Sequence, residues 1–220
     1  TLEMTETDLI KNAYRSRVKA LENSIGGFVV NIVLKKDSYK YLKSNFYWNK
    51  SEDVWNLTQH TDETWPLCYA VFFSASSKAT EYAESVTVLA YMRYDEVKQW
   101  GNTFNTVSAE ESRGESYEAF KKQKAEKLLD LVEEKFPGLK ASIKNYYTAT
   151  PLSYRDYIGN DDGSMYGIVK DYNNPLKTFI SPRTKIPNLY LTGQNLNLHG
   201  ILGAAMSGVV TCVAFLGNEN

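Results

Sequence analysis

The sequence predicts an α+β fold, a mixed β-sheet flanked by helices. Three observations carry that expectation. Short runs rich in β-branched and aromatic residues recur through the first 150 positions, an amphipathic stripe runs over residues 116–136, and a Gly-rich apolar segment occupies residues 200–217. The 220 residues, 43% apolar and 23% charged, suit one full core or two small domains and exclude a disordered or collagen-like chain.

Taken in order, residues 5–21 predict a helix. Thr5 stands where a cap belongs, and Leu9, Ile10, Ala13, Val18 and Leu21 approximate one apolar face. Gly26-Gly27 breaks the chain, and FVVNIVLK over 28–35 reads as a strand. A polar, aromatic-dotted stretch then holds one short strand around Phe46. CYAVFFS (68–74) and SVTVLAYMR (85–93) are the next two strands. The helix over 116–136 sets Tyr117, Phe120, Leu128, Leu131 and Val132 on one side. Lys121, Lys122, Lys124, Glu133 and Glu134 cover the solvated side, and Pro137-Gly138 stops it. ASIKNYYT (141–148) follows as a strand. Residues 151–187 are broken by Pro and Gly and show little periodicity, which predicts a long functional loop. NLYLT (188–192) reads as a short buried strand, leading through Gly193 into the Gly-rich helix.

Several chemistries are excluded by their absent residues. Lys plus Arg number 25 against 26 Asp plus Glu, so no general nucleic-acid binder is expected. Cys68 and Cys212 offer neither a disulfide framework nor a Cys-rich zinc site, and His60 and His199 have no companion at ligand spacing; no metal is expected. There is no G-x-x-x-x-G-K-[ST] and no G-x-G-x-x-G. Ser207 lacks the preceding glycine of a nucleophile elbow, because position 205 is Ala. Asn160-Asp161-Asp162-Gly163 is a turn rather than a calcium loop, since Ile158 and Val169 stand where acids are required. The sequons at Asn49 and Asn56 carry little without a secretion signal. The opening Thr1, with no signal segment after it, suggests a processed product or part of something longer. Residues 200–217 are uncharged but rich in Gly, Ala, Ser and Thr and lack basic anchors. An interior helix is expected there, with a tail anchor as the rival.

One constellation remains. A strand that delivers Gly193 to a turn, QNLNLH, and then Gly200 to a helix start builds a receptor for an anion or dipole. First-turn N–H groups lack intrahelical partners, and the helix dipole favours negative charge there. Gly193 and Gly200 let backbone press on a ligand, while Gly203 and Gly208 let the helix press on a sheet. A plain strand-to-helix connection is the competing reading.

The segment IPNLYLTGQNLNLHGILGAAMSGVVTC (186–212) resembles the C-terminal flavin-binding signature of the phytoene desaturase, carotenoid isomerase and retinol saturase family. TATPLSYRDYIGNDDGSMYGI (148–168) is similar to the block before it, and GGFVVNIVLKKD (26–37) extends the likeness. The resemblance implies a FAD-dependent oxidoreductase that desaturates, saturates or isomerises carbon–carbon double bonds of a hydrophobic polyene or isoprenoid-like substrate. It implies that residues 1–150 are substrate-domain-like. Residues 151–220 then return into a Rossmann-like FAD-binding domain, whose N-terminal G-x-G-x-x-G part is the chain's missing partner. The chain is accordingly expected to be an inactive C-terminal fragment.

By the same resemblance Gly193 and Gln194 lie beside the ribityl-phosphate part of FAD, and Gly200, Ile201, Leu202 and Gly203 offer N–H groups to the flavin ring. Many relatives in the wider group have an acid where Gln194 stands. Tyr154, Arg155 and Tyr166 are the candidates at the flavin face or substrate entrance, with loop packing as their alternative. No general acid or base is assigned. His199 is expected to be a hydrogen-bonded residue at the helix start. NAD(P) is the candidate electron partner, and the expected setting is cytoplasmic with peripheral membrane contact and homo-oligomers as candidate associations. A hydrophobic-ligand binding module without catalysis is the alternative function.

Overall fold

The β-branched run after Gly26-Gly27 becomes the second strand from one edge of an open sheet. In the computed structural model, which describes residues 4–78 and 81–217, the strands are β1 (Gly26–Leu34), β2 (Asn45–Asn49), β3 (Cys68–Ser74), β4 (Ser85–Met92) and β5 (Ile143–Ala149). The helices are α1 (Asn12–Lys19), α2 (Glu115–Lys135), α3 (Leu139–Ser142), α4 (Pro151–Ile158), α5 (Pro175–Thr178) and α6 (Gly200–Leu216). The strand order is β2-β3-β4-β1-β5. Thr1 and the three C-terminal positions lie outside the described residues.

The α+β class is as expected, but the sheet is antiparallel at each of its four pairings, not mixed. β4 and β5 both run antiparallel to β1 and so lie parallel to each other on either side of it. The long connection through α2 makes that arrangement possible, because parallel strands need a crossover and cannot be joined by a tight turn.

The chain forms two compact units. One is Ile25–Met165; the other joins the segment ending at Ser24 to the segment beginning at Tyr166. The first holds the larger core. Alternation places Phe28, Val30, Ile32, Val71, Val86 and Val88 on the face where α2 lays down Tyr117, Ala125, Leu128, Leu129 and Val132. Each fully buried aliphatic contributes about 1.5–3 kcal/mol. Lys124, expected on the solvated face of this helix, is buried. Its ammonium reaches Asp62 Oδ1 at 2.6 Å and Glu96 Oε2 at 3.4 Å and lies 4.5 Å over the Trp65 ring. Glu96 Oε1 accepts the Arg93 N–H and meets His60 Nε2 at 2.7 Å. A buried cation is tolerable only with partners of this kind.

The second unit has a small core of Ile168, Ile180 and Leu196, packed by Leu21 and Leu191. Four expectations are corrected by the structure. The first helix spans only Asn12–Lys19 and buries no residue, and Thr5 does not cap it. The expected loop over 151–187 opens with α4. Thr150 accepts the Leu152 N–H, Pro151 occupies the first turn, and Gly159 closes the helix at φ 80°. Eight residues are too few for a periodic signal, whereas Thr-Pro is a cap and first-turn pair. The expected buried strand over 188–192 is a single bridge between Tyr190 and Arg183, flanked by Pro182 and Pro187. It has no long neighbour to satisfy a ladder. Finally α6 is not an interior helix, since only Gly203 and Ser207 are buried along it. Among the described residues no helix is long and apolar enough to cross a membrane.

Candidate functional site

The turn into α6 is set by small residues on one helical face. Ser207 is fully buried, and its Oγ accepts the Gly193 N–H at 3.0 Å. One turn later Thr211 Oγ1 donates to Leu191 O and Ser207 O at 2.9 and 2.8 Å. At Gly203 an added Cβ would stand 2.2 Å from Leu198 O, so the loop before the helix lies directly on its first turn. Residues 203, 207 and 211 are spaced by four, which puts them in one row. The expectation that Gly208 also serves close packing is corrected: a Cβ there meets nothing within 4 Å.

Beyond that row the site is open. Gly193 has φ 110° and Gly200 φ 76°, and at neither does a Cβ meet anything within 4 Å. Both need the left-handed freedom of glycine. The α6 N-cap, His199, makes no side-chain cap hydrogen bond, and the first turn holds no acid. The leading N–H groups of the helix therefore face outward with the positive end of the dipole behind them. Ile201 and Leu202 are 93% and 73% exposed, so an approaching group meets apolar side chains beside these N–H donors.

His199 does not cap; its Nε2–H donates to Ile168 O at 2.8 Å, as a hydrogen-bonded histidine at this helix start was expected to do. The Tyr166 ring stacks on it, centroids 5.8 Å apart and planes within 19°. Asn195 Oδ1 accepts the Ile168 N–H at 2.9 Å, and Lys170 Nζ donates to Asn195 O and Leu196 O at 2.6 and 3.1 Å. Burial holds the Lys170 ammonium below the ordinary lysine range. Reasoning from residues alone missed Asn195, Ser207 and Lys170. The four-residue spacing of Gly203 and Ser207 was a usable signal for one of them, but nothing local marks Lys170.

Of the expected entrance residues, Tyr166 is brought to the α6 start, whereas Tyr154 and Arg155 lie on α4 in the other unit. Arg155 is tied into its own unit. It pairs with Asp156 at 2.7 Å and donates to Gly101 O at 2.6 Å and to Thr103 O. Its bonds to Asp156 and Tyr94 outweigh burial and raise its pKa.

The sheet face opposite α2 carries a second feature. Register aligns Tyr47, Ala70, Leu89 and Val29 in one row, and Phe72 in the next row meets the Tyr47 ring at 5.9 Å. Tyr47 is 71% exposed. The row is apolar and aromatic, without a charged side chain.

No family model matches the chain. It is similar to an all-trans-retinol 13,14-reductase of Danio rerio, 28% identical over 162 residues, which is 72% of this chain and 24% of the relative. The Homo sapiens protein of the same name is 26% identical, over 70% of this chain and 26% of its own length. A chloroplastic prolycopene isomerase of Daucus carota is 30% identical over 49% of this chain and 18% of the relative. The chain spans about a quarter of the length of the retinol reductases it matches.

Proposed function

We propose, from the similarity of this chain to all-trans-retinol 13,14-reductases and a prolycopene isomerase and from its resemblance to the phytoene desaturase, carotenoid isomerase and retinol saturase family, that the protein carrying it is a FAD-dependent oxidoreductase acting on carbon–carbon double bonds of a polyene or isoprenoid-like substrate. The observation that carries the reading beyond kinship is the uncapped α6 start behind two glycines that face open space. That arrangement suits a flat ring system with an electron-rich edge, because unpaired N–H donors and a helix dipole stabilise charge developing there without reorganising.

On this reading Gly193 and Gln194 lie along the ribityl-phosphate part of FAD, while Gly200, Ile201, Leu202 and Gly203 face the pyrimidine edge of the ring. Residues 190–216 then act as the returning turn and helix of a Rossmann-like domain. When bound, FAD supplies hydride exchange with the substrate. The chain's own residues bind and orient. Ser207 holds Gly193 in its turn, and Ile201 and Leu202 exclude water from the donors. Exposed Tyr47, with half-buried Phe72 and Leu89 on the same sheet face, is an apolar surface for a long unsaturated chain, while Ala70 and Val29 of that row are buried beneath. No side chain is assigned a proton.

The test is the visible absorption spectrum of the protein in its full natural length, compared with Gly200→Trp and Gly200→Ala. Both variants share the strain of φ 76°, but only Trp fills the open space. A flavin spectrum that survives in the Ala variant and is lost in a folded Trp variant supports the reading. A folded, colourless wild-type protein that takes up no added FAD sinks it.

A further inference from the structure

The loop that leads into α6 is not held by a strand ladder, which raises the question of what sets its shape. Residues 166–170 supply the answer from within the same unit. The Ile168 backbone is gripped on both sides, its N–H by Asn195 Oδ1 at 2.9 Å and its carbonyl by His199 Nε2 at 2.8 Å. Gly167 lies so close that an added Cβ would fall 1.8 Å from Asn195 Oδ1, and its φ of 71° excludes most side chains. Two positions on, Lys170 bridges the carbonyls of Asn195 and Leu196. The strap is anchored in turn. The Ser24 N–H donates to Gly167 O at 2.7 Å, and the Val169 N–H donates to Glu22 O at 2.9 Å.

We propose that residues 166–170 are a strap that positions the cofactor turn, with Lys170 as the positioning residue that fixes the Asn195 and Leu196 peptides through their carbonyl oxygens. This rests on the assignment of residues 193–203 to FAD. The side chain acts through the loop and does not touch the cofactor. Its two acceptors are consecutive carbonyls, so one ammonium fixes the orientation of the peptide planes midway between Gly193 and Gly200. A charged donor suits this use, because its hydrogen bonds are about twice as strong as neutral ones. The alternative acceptors for this ammonium are water molecules, and its partial burial makes the two carbonyls the better partners.

The experiment compares wild type, Lys170→Met and Lys170→Arg in the full natural-length protein with two readouts. The first is amide hydrogen exchange, without FAD, at Ile168, Gly193 and Leu196, whose N–H groups are all bonded within the unit. The second is FAD affinity from quenching of flavin fluorescence. Lys170→Met is expected to speed exchange at these amides and to weaken FAD binding, each about tenfold or more, because charge-assisted hydrogen bonds are lost. Exchange in β1 should stay unchanged, and Lys170→Arg should restore both readouts to within about threefold, since it keeps the charge and the donors.

Wild-type exchange and affinity in Lys170→Met overturn the proposal. Weakened FAD binding with unchanged exchange also overturns it, since the lysine would then act on the cofactor directly. A wild-type protein that takes no FAD overturns the functional reading instead, and the exchange data then decide by themselves whether the strap holds the turn.

Discussion

Two glycines of α6 (Gly203 and Gly208) should respond to the same substitution with opposite signs. In a helix interior Gly→Ala removes backbone freedom from the unfolded chain and contributes about 0.5–1 kcal/mol of stability. Gly208 has open space where a Cβ would go, so Gly208→Ala should realise that gain in full. At Gly203 the new Cβ meets the Leu198 carbonyl oxygen at 2.2 Å and its carbon at 2.3 Å, against ordinary contacts of 3.4–4 Å. Backbone, not a flexible side-chain end, has to retreat by more than an ångström, an overpacking that costs about 1–3 kcal/mol. The entropy gain is common to both, so the two variants should differ by the overpacking cost, about 1–3 kcal/mol. With a urea slope of about 1 kcal/mol/M, that is a separation of about 1–3 M in midpoint. Urea-dependent amide exchange along α6 reports this helix without averaging over the other unit. Equal stabilisation by both substitutions would refute the close seating of the Leu198 peptide on the helix, and with it the geometry assigned to the cofactor turn.

Two further perturbations test other contacts. Ser207→Ala leaves the Gly193 N–H without its buried acceptor and should cost about 1–3 kcal/mol in urea unfolding of this unit, with Ser207→Thr recovering part of the loss. In the other unit, the Glu96 carboxyl is held below its ordinary range. Burial acts to raise it, but the His60 and Arg93 hydrogen bonds and the His60 and Lys124 charges prevail. Its stabilisation is therefore complete above the unfolded value near 4.5 and is lost as pH falls through the lower folded value. Glu96→Gln should cost about 3 kcal/mol at pH 7, because it leaves Lys124 with only Asp62, and the difference from wild type should shrink toward pH 3. A difference that stays constant between these pH values would count against the ionised cluster.

Legibility along the chain followed the kind of signal each segment carried. β3, with its CYAVFFS run, was readable because β-branched and aromatic residues over seven positions mark a strand wherever it pairs, and the long amphipathic α2 was readable from its stripe. The glycines at 193 and 200 were readable too, since their backbone freedom is a property of the residue itself. Lys124 was not. A lysine within a charged helix looks solvated until Glu96, Asp62 and Trp65 are brought to it from 28 to 62 positions away.

The same division holds at the candidate site. Sequence by itself determined that a glycine turn opens onto a helix start and that the helix is apolar and uncharged. Tertiary structure alone decided that residues 188–192 make no strand, that α6 buries only Gly203 and Ser207, and that Lys170 grips the loop. The physical reason is that turns and helices close their hydrogen bonds within a few residues. A strand, a buried cation or a strap depends on acceptors that only folding brings near.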